Sequence, residues 1–333
     1  MTESAVPMRT PDAVAIDDTV LPFQVDALDV RGRVVRLGPM VDEILRKHEY
    51  PEPVSKLLGE AIVLGTLLGT ALKIEGRFIL QTQTDGIVPM LVVDYRAPGD
   101  VRACARFDKE KIGEQIAAKG GEAAALLGRG HMAMTIDQGS NTSRYQGLVE
   151  IAGDLQAAAH EYFYRSEQIP TRLRLAVAED FRAEDGGMRR RWRAGGMMVQ
   201  FLPKSELRAR QRDFDPGDAP AGAVVPEMKE DDSWAEAQAL VETVEPIELI
   251  DPALSHERLL FRLFHERGVR VFENQEVRAQ CSCSQDRITD MLSRFSQDDR
   301  DHMVENGKIS VTCEFCNTNY IVDPAELPPA EKQ

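Results

Sequence analysis

Cys281-Ser-Cys283 is followed, after 29 intervening residues, by Cys313-Glu-Phe-Cys316. Four of the chain's five cysteines stand in these two clusters. Two close thiol pairs on separate elements can meet as a tetrahedral four-thiolate site, which is what zinc requires. The sequence therefore predicts one zinc ion on Cys281, Cys283, Cys313 and Cys316 in the reduced protein. Between the pairs, Ser284 is placed to cap a helix with Ile288, Met291, Leu292 and Phe295 on one face. Asn306-Gly307 reads as a turn, Ile309, Val311 and Cys313 alternate as a strand, and the second cysteine pair reverses the chain into Tyr320-Ile-Val. A module of about fifty residues is near the size at which a hydrophobic core no longer holds a fold unaided.

The same thiols can be oxidised. Two electrons taken from a close pair give a disulfide, whose sulfurs are no longer anionic ligands, so oxidation and metal release become one event. Four cysteines allow three pairings, of which the local ones need the least chain movement. A static zinc ribbon that staples the C-terminus remains the plain alternative.

The segment upstream favours a switch. From Asp213 to Asp251 there are twelve acidic residues and one basic residue, Lys229, with Pro216, Pro220, Pro226 and Pro246 interspersed; this stretch supplies −11 of the chain's net −15. Such a segment is strongly solvated and self-repelling, and helices within it should be marginal. Ser233-Trp-Ala-Glu236 nevertheless reads as a capping box leading into Trp234, Ala237, Val241 and Val244 at helical spacing. Asp251-Pro252 is expected to start a second helix with Leu259, Leu260, Leu263 and Phe264 on its apolar side and Gly268 at its end. Those stripes need a surface to lean on.

The chain before this linker supplies one. Near-alternate apolar residues from Leu21 to Leu37 predict a strand pair turned at Gly32, followed by a helix opened by Pro39 and a longer one opened by Pro53. In the second, Leu57, Leu58, Ile62, Leu64, Leu68 and Leu72 cover more than one face, as in a core helix. Arg77 to Thr84, Val88 to Tyr95 and Val101 to Phe107 read as an antiparallel meander. A helical segment from Lys109 to Leu127 and strands His131 to Gln138 and Arg144 to Ile151 come next. A helix capped by Asp154 and a hairpin of Arg172 to Glu179 with Met188 to Leu202, turned at Asp185-Gly186-Gly187, complete the region. The expected fold class is α+β: a tail over 1–20, a mixed sheet-and-helix core over 21–205, an acidic helical linker over 206–280, a zinc module over 281–325 and a tail over 326–333.

Length and charge narrow the function. At 333 residues with 43% hydrophobic content the chain can bury a sizeable core. A net charge of −15 disfavours nucleic acid and anionic membrane as partners. Residues 1–20 lack the apolar run of a secretory signal, and Leu57 to Leu72 is short for a bilayer and carries Glu60, so the expected location is the reducing cytoplasm.

These residues resemble a known family, the redox-regulated holdase chaperones called heat shock protein 33 or 33 kDa chaperonin. The likeness rests on the two cysteine pairs at this spacing, on Leu263-Phe264-His265-Glu266 with Val269-Arg270-Val271-Phe272, on Ser166-Glu167-Gln168-Ile169-Pro170-Thr171, and on Gly195-Gly196-Met197-Met198-Val199-Gln200. It spans about residues 21–325, while the N-terminal tail and the stretch from Asp215 to Asp232 are longer than the family's usual pattern. The resemblance implies an ATP-independent chaperone, not an enzyme, that is inactive when reduced and zinc-bound. It implies that oxidation forms the Cys281–Cys283 and Cys313–Cys316 disulfides, releases zinc and unfolds the module with the linker. The exposed apolar surface then holds unfolding client proteins, usually as a homodimer.

Other candidates read more plainly. Cys104 shares a strand face with Arg102 and Arg106, which would favour its thiolate, but a small packed cysteine is the better reading. Arg189-Arg-Arg-Trp192-Arg193 alternates across a strand and is read as solvated rather than as a nucleic-acid patch. Met132, Met134, Met188, Met197 and Met198 are read as core filling. His131, His160 and His265 have no metal-ligand spacing, and Tyr162 and Tyr164 lack an evident base. Two rival functions remain: a constitutive zinc-ribbon adaptor for a protein or nucleic acid, and a thiol-disulfide oxidoreductase, for which the sequence lacks a thioredoxin-like setting.

Overall fold

The computed structural model describes residues 16–72, 75–119, 126–139, 144–184, 187–202 and 231–328. Most of the N-terminal tail, the Pro-rich stretch before Asp231, the Asp185-Gly186 turn and the last five residues lie outside them.

Two six-stranded sheets sandwich one long helix. In the first sheet β1 (Thr19–Val25) and β2 (Val30–Leu37) pair antiparallel, and β2 continues onto β9 (Gly187–Phe201), which pairs with β8 (Thr171–Glu184). The β1–β2 turn is not at Gly32. It is a 3-10 turn at Asp26–Leu28 closed by Asp29 in the left-handed region (φ 51°). Gly32 lies within β2 opposite Phe23, where an added Cβ would sit 2.3 Å from the aromatic ring. The glycine makes room for an aromatic side chain, a need that sequence alone cannot separate from a turn. β9 matches the expected strand, whereas β8 runs on past its expected end at Glu179, and the two pair in register from Thr171↔Gln200 to Glu184↔Gly187.

The second sheet has the order β12-β5-β4-β3-β6-β7, built on the expected meander of β3 (Arg77–Thr84), β4 (Met90–Arg96) and β5 (Asp100–Arg106), with β6 (Arg129–Asp137), β7 (Tyr145–Ala152) and β12 (Arg278–Ala279). Helix α1 (Pro39–Arg46) precedes α2 (Glu52–Ala71), which lies between the sheets. Helices α3 (Lys109–Lys119) and α4 (Leu155–Arg165) follow, the latter capped by Asp154 through Ala157 N at 3.0 Å. At 20 residues α2 is longer than its apolar run suggested and reaches membrane-spanning length and apolarity, but 83% of that window is buried within the fold. It is the core helix that its all-round hydrophobicity predicts.

The outer face of the first sheet is covered by helices α5 (Asp232–Glu242), α6 (Pro246–Ile250) and α7 (His256–Phe264). Two expected starts are corrected. Asp231, not Ser233, caps α5, accepting from Ser233 N at 2.9 Å. Asp251 makes a local turn to Ala253 N, so α7 begins at His256, capped by Ser255, whose hydroxyl accepts from Arg258 N. A short polar acceptor beside another competes for the same backbone donors, which moves a start by a few residues. The apolar stripes are well seated: Ala237, Val241, Leu259, Leu260 and Phe264 are fully buried against Leu21, Phe23, Val34, Met197 and Phe201. Gly195 and Gly196 permit this layering. A Cβ at Gly195 would meet the Leu249 carbonyl at 2.1 Å on one face, and one at Gly196 would meet Val63 of α2 at 2.5 Å on the other.

Three guanidiniums of the first sheet also grip carbonyls in and between these helices. Arg174 Nη2 donates to Val244 O at 2.9 Å, Arg193 Nε to Ile250 O at 2.8 Å, and Arg36 Nη2 to Leu254 O. His256 is buried beside Arg36, and burial, reinforced by that cation, pushes its imidazole down to about 3. A folded value below the ordinary 6.5 means that this contribution to docking is complete above about pH 6.5 and is lost as pH falls toward 3. Docking should therefore weaken below pH 6.5 by up to about 1.4 kcal/mol per pH unit. Amide exchange in 256–264 at pH 7.5 and 5.5 checks this, and His256→Gln should flatten the dependence.

Candidate functional site

After α7 the chain pairs with both sheets. β10 (Arg270–Val271) and β11 (Gln275–Glu276) add to β1, and β12 runs parallel to β5. That last pairing leaves Cys281 and Cys283 beside β5. Ser284 then caps α8 (Gln285–Ser293) as expected, with its hydroxyl accepting from Arg287 N at 3.3 Å. Helix α9 (Gln297–His302), which the sequence reading missed, is capped by Ser296. Its Arg300 is 3% exposed and spends its guanidinium on the carbonyls of Phe295, Pro328 and Ser293. β13 (Val304–Glu305), β14 (Lys308–Thr312) and β15 (Asn319–Val322) form the third sheet, with the predicted turn at Asn306-Gly307. Cys313 N donates to Thr318 O and Asn317 N to Cys313 O, folding Cys313 to Cys316 into a knuckle.

The four sulfurs converge, all within 4.8 Å of one another. Cys281 Sγ lies 3.7 Å from Cys313 Sγ, and Cys283 Sγ lies 3.3 Å from Cys316 Sγ. A tetrahedron of thiolates at about 2.3 Å from zinc has edges of about 3.8 Å, so the cluster fits a four-coordinate ion. These two contacts cross between the two elements, as in a metal cage. The environment is mixed. Burial, together with the neighbouring sulfurs, pushes the Cys283 thiol up to about 12, although Tyr320 donates a hydrogen bond to it at 3.0 Å. Burial also opposes ionisation of Cys316, but the Thr318 hydroxyl 3.2 Å away and the adjacent thiols outweigh it and lower that group to about 7. Apart from this cluster the module buries little: Leu292, Ile309, Val322 and Leu327 are its apolar core.

The module docks on the core, a feature the sequence reading did not foresee. Phe315, inside the knuckle, lies under the Arg102 guanidinium at 4.1 Å, and its carbonyl is 3.1 Å from His48 Nε2. Asn317 donates to Lys47 O at 2.8 Å, and Glu314 pairs with Arg106 at 2.6 Å. His48 stacks on Tyr50, whose hydroxyl accepts from Ala105 N. A signal was available in the aromatic residue between two expected ligands, but nothing local identifies its partner strand. The docking also explains Cys104, which is buried although it shares the Arg102 face; burial pushes its thiol up to about 12, a packed cysteine as expected. Met132, Met134, Met197 and Met198 are core residues as read, whereas Met188 is 67% exposed. In the arginine run, Arg193 is buried and paired with Asp17 rather than solvated.

The arrangement defines a class: a two-sheet core whose outer face is shielded by linker helices that lead into a docked four-cysteine module. Comparison with known proteins identifies that class as a chaperone. The 33 kDa chaperonin of Caulobacter vibrioides strain NA1000 is 44% identical over 319 residues, covering 94% of this chain and 97% of the relative. That of Pseudomonas aeruginosa PAO1 is 35% identical, covering 92% and 91%. The crystal structure of the 33 kDa chaperonin from Thermotoga maritima superposes with a TM-score of 0.66 over 93% of this chain and 96% of that one, at 20% identity, which bears on the fold. The family model described as Hsp33 protein matches residues 18–323. The chain belongs to the Hsp33 family.

Proposed function

We propose that this chaperone is a redox-switched, ATP-independent holdase of the reducing cytoplasm. Cys281, Cys283, Cys313 and Cys316 hold one zinc ion when reduced, and a metal there supplies a cross-link between two elements of a module with a minimal core. A peroxide takes two electrons from each pair and is reduced to water, joining Cys281 to Cys283 and Cys313 to Cys316; this removes the anionic ligands and releases the ion. The module then unfolds, and α5–α7 lift from the first sheet. The observation that carries this reading is the covalent continuity between the cysteine cluster and those helices, whose buried stripe covers Leu21, Phe23, Val34, Met197 and Phe201. Freeing that layer uncovers apolar area on both surfaces, which is what an unfolding client needs. The active form is a homodimer, and neither nucleic acid nor membrane is a partner, in keeping with the net charge of −15.

The test follows metal content, helicity and aggregation of a heat-denatured client. Peroxide with mild warming should release one equivalent of zinc, reduce helicity and suppress aggregation, and a reductant with zinc should reverse all three. Equal protection by the reduced, metal-loaded protein would favour a constitutive adaptor and sink the switch.

A further inference from the structure

Arg102 belongs to the core, 179 residues from Cys281, yet its side chain meets both cysteine-bearing segments, at Cys281 and at Phe315. Its Nε donates to Asp94 Oδ2 at 2.7 Å, and its Nη1 lies 3.9 Å from Cys281 Sγ. Its planar face covers the Phe315 ring between Cys313 and Cys316. Asp94 is in turn fixed: it is 5% exposed, stands directly across from Arg102 in the β4–β5 register, and accepts from Arg77 Nε at 3.0 Å. The guanidinium is thus oriented by a buried carboxylate that is itself held. Beside it a cleft of about 200 Å³, lined by Asp94, Arg102, Gln280 and Cys281 among others, reaches the first cysteine pair.

We propose that Arg102 is a positioning residue of the metal site, supplied by the core, which couples docking of the module to retention of the metal. The proposal rests on the reading of the four cysteines as a metal site. Four thiolates around a divalent ion carry a net charge of −2, and a fixed guanidinium beside one sulfur favours that charged cluster, as outer partners of metal ligands do. The cation over Phe315 adds a contact that exists only while the knuckle is seated. Both contacts go through one side chain, so undocking weakens the site and loss of the metal weakens docking, reciprocally. The neighbouring Arg106–Glu314 pair lacks this property. Its side chains are 61% and 62% exposed, and a pair in water contributes little.

The experiment uses the reduced full-length protein loaded with zinc and follows transfer of the metal to a chromogenic chelator. Arg102→Gln keeps a polar donor near Asp94, which also retains Arg77, so the sheet keeps its pairing. It should release metal about tenfold faster. Phe315→Leu, made on the module side, removes the ring contact alone and should also accelerate release, and the double variant should be no faster than Arg102→Gln, in which that contact is already lost. Arg106→Gln should stay within about twofold of the parent. Amide protection over 103–106 should fall in Arg102→Gln while that of β6 is unchanged. Parental release rates in both single variants, or fully multiplicative effects in the double, overturn the coupling alone. A parent protein that retains no metal overturns the metal reading, and the proposal with it.

Discussion

Chelation of zinc bound at the four cysteines under reducing conditions should unfold residues 281–328 and leave the two-sheet core intact. The expectation follows from how little else holds the module. Leu292, Ile309, Val322 and Leu327 are its buried apolar residues, and its strands are two to five residues long. Bound structural zinc contributes on the order of 10–16 kcal/mol in small modules, more than such a core can replace. Cys313→Ser should produce the same state without chelator, since it removes a ligand and leaves three. Circular dichroism should report loss of α8 and α9, and amide exchange should show full protection of α2 but none of β14. The first cysteine pair follows β12, which adds only two residues to β5, so fraying should extend back to about Val277. A module still protected after complete metal removal would show that the thiol cluster is incidental to its fold.

That contrast between module and core also explains what could be read from sequence. Close thiol pairs, Ser284 and Asn306-Gly307 are local signals, and each produced the predicted element because ligand spacing, capping and positive φ are decided within a few residues. Asp154 did the same for α4. The errors lie where a residue answers a distant partner. Gly32 reads as a turn, but it is required by Phe23 across the strand. β10, β11 and β12 are pairs of residues too short to show any period, and they exist because β1 and β5 offer open edges. α6, five residues that begin with Pro246, was lost in the acidic composition of its surroundings, although its buried Leu249 and Ile250 help to seat the linker. The convergence of the four cysteines was legible in their spacing, and the seat of the cluster was not. Arg102 carries no mark in sequence that it meets Cys281 and Phe315, because the partners stand about two hundred residues apart.

The linker, too, differs from its composition. Twelve acidic residues suggest marginal helices, but among the described residues none of the acidic side chains from Asp231 to Asp251 is buried, while Trp234, Ala237, Val241 and Val244 are. Phe264→Ala should therefore separate release of the linker from loss of the metal. Phe264 is fully buried at the end of α7, 5.7 Å from the Phe23 ring, and lies just before the turn that leads into β10. Removing a buried phenylalanine costs about 3–5 kcal/mol, part of it the cavity left behind. The cost falls on α7 and its neighbours, because the first sheet retains β2, β9 and α2 on its other side. Local opening should become between about a hundredfold and a few thousandfold more frequent, visible as faster amide exchange across 232–264 in the reduced protein. Metal content should stay at one equivalent, since the knuckle is held at Arg102, His48 and Lys47, away from Phe264. If the covered face of the first sheet and the linker stripe are what hold clients, this variant should suppress aggregation without oxidant. A variant that opens its linker, keeps its metal and still fails to protect a client would place the holding surface elsewhere.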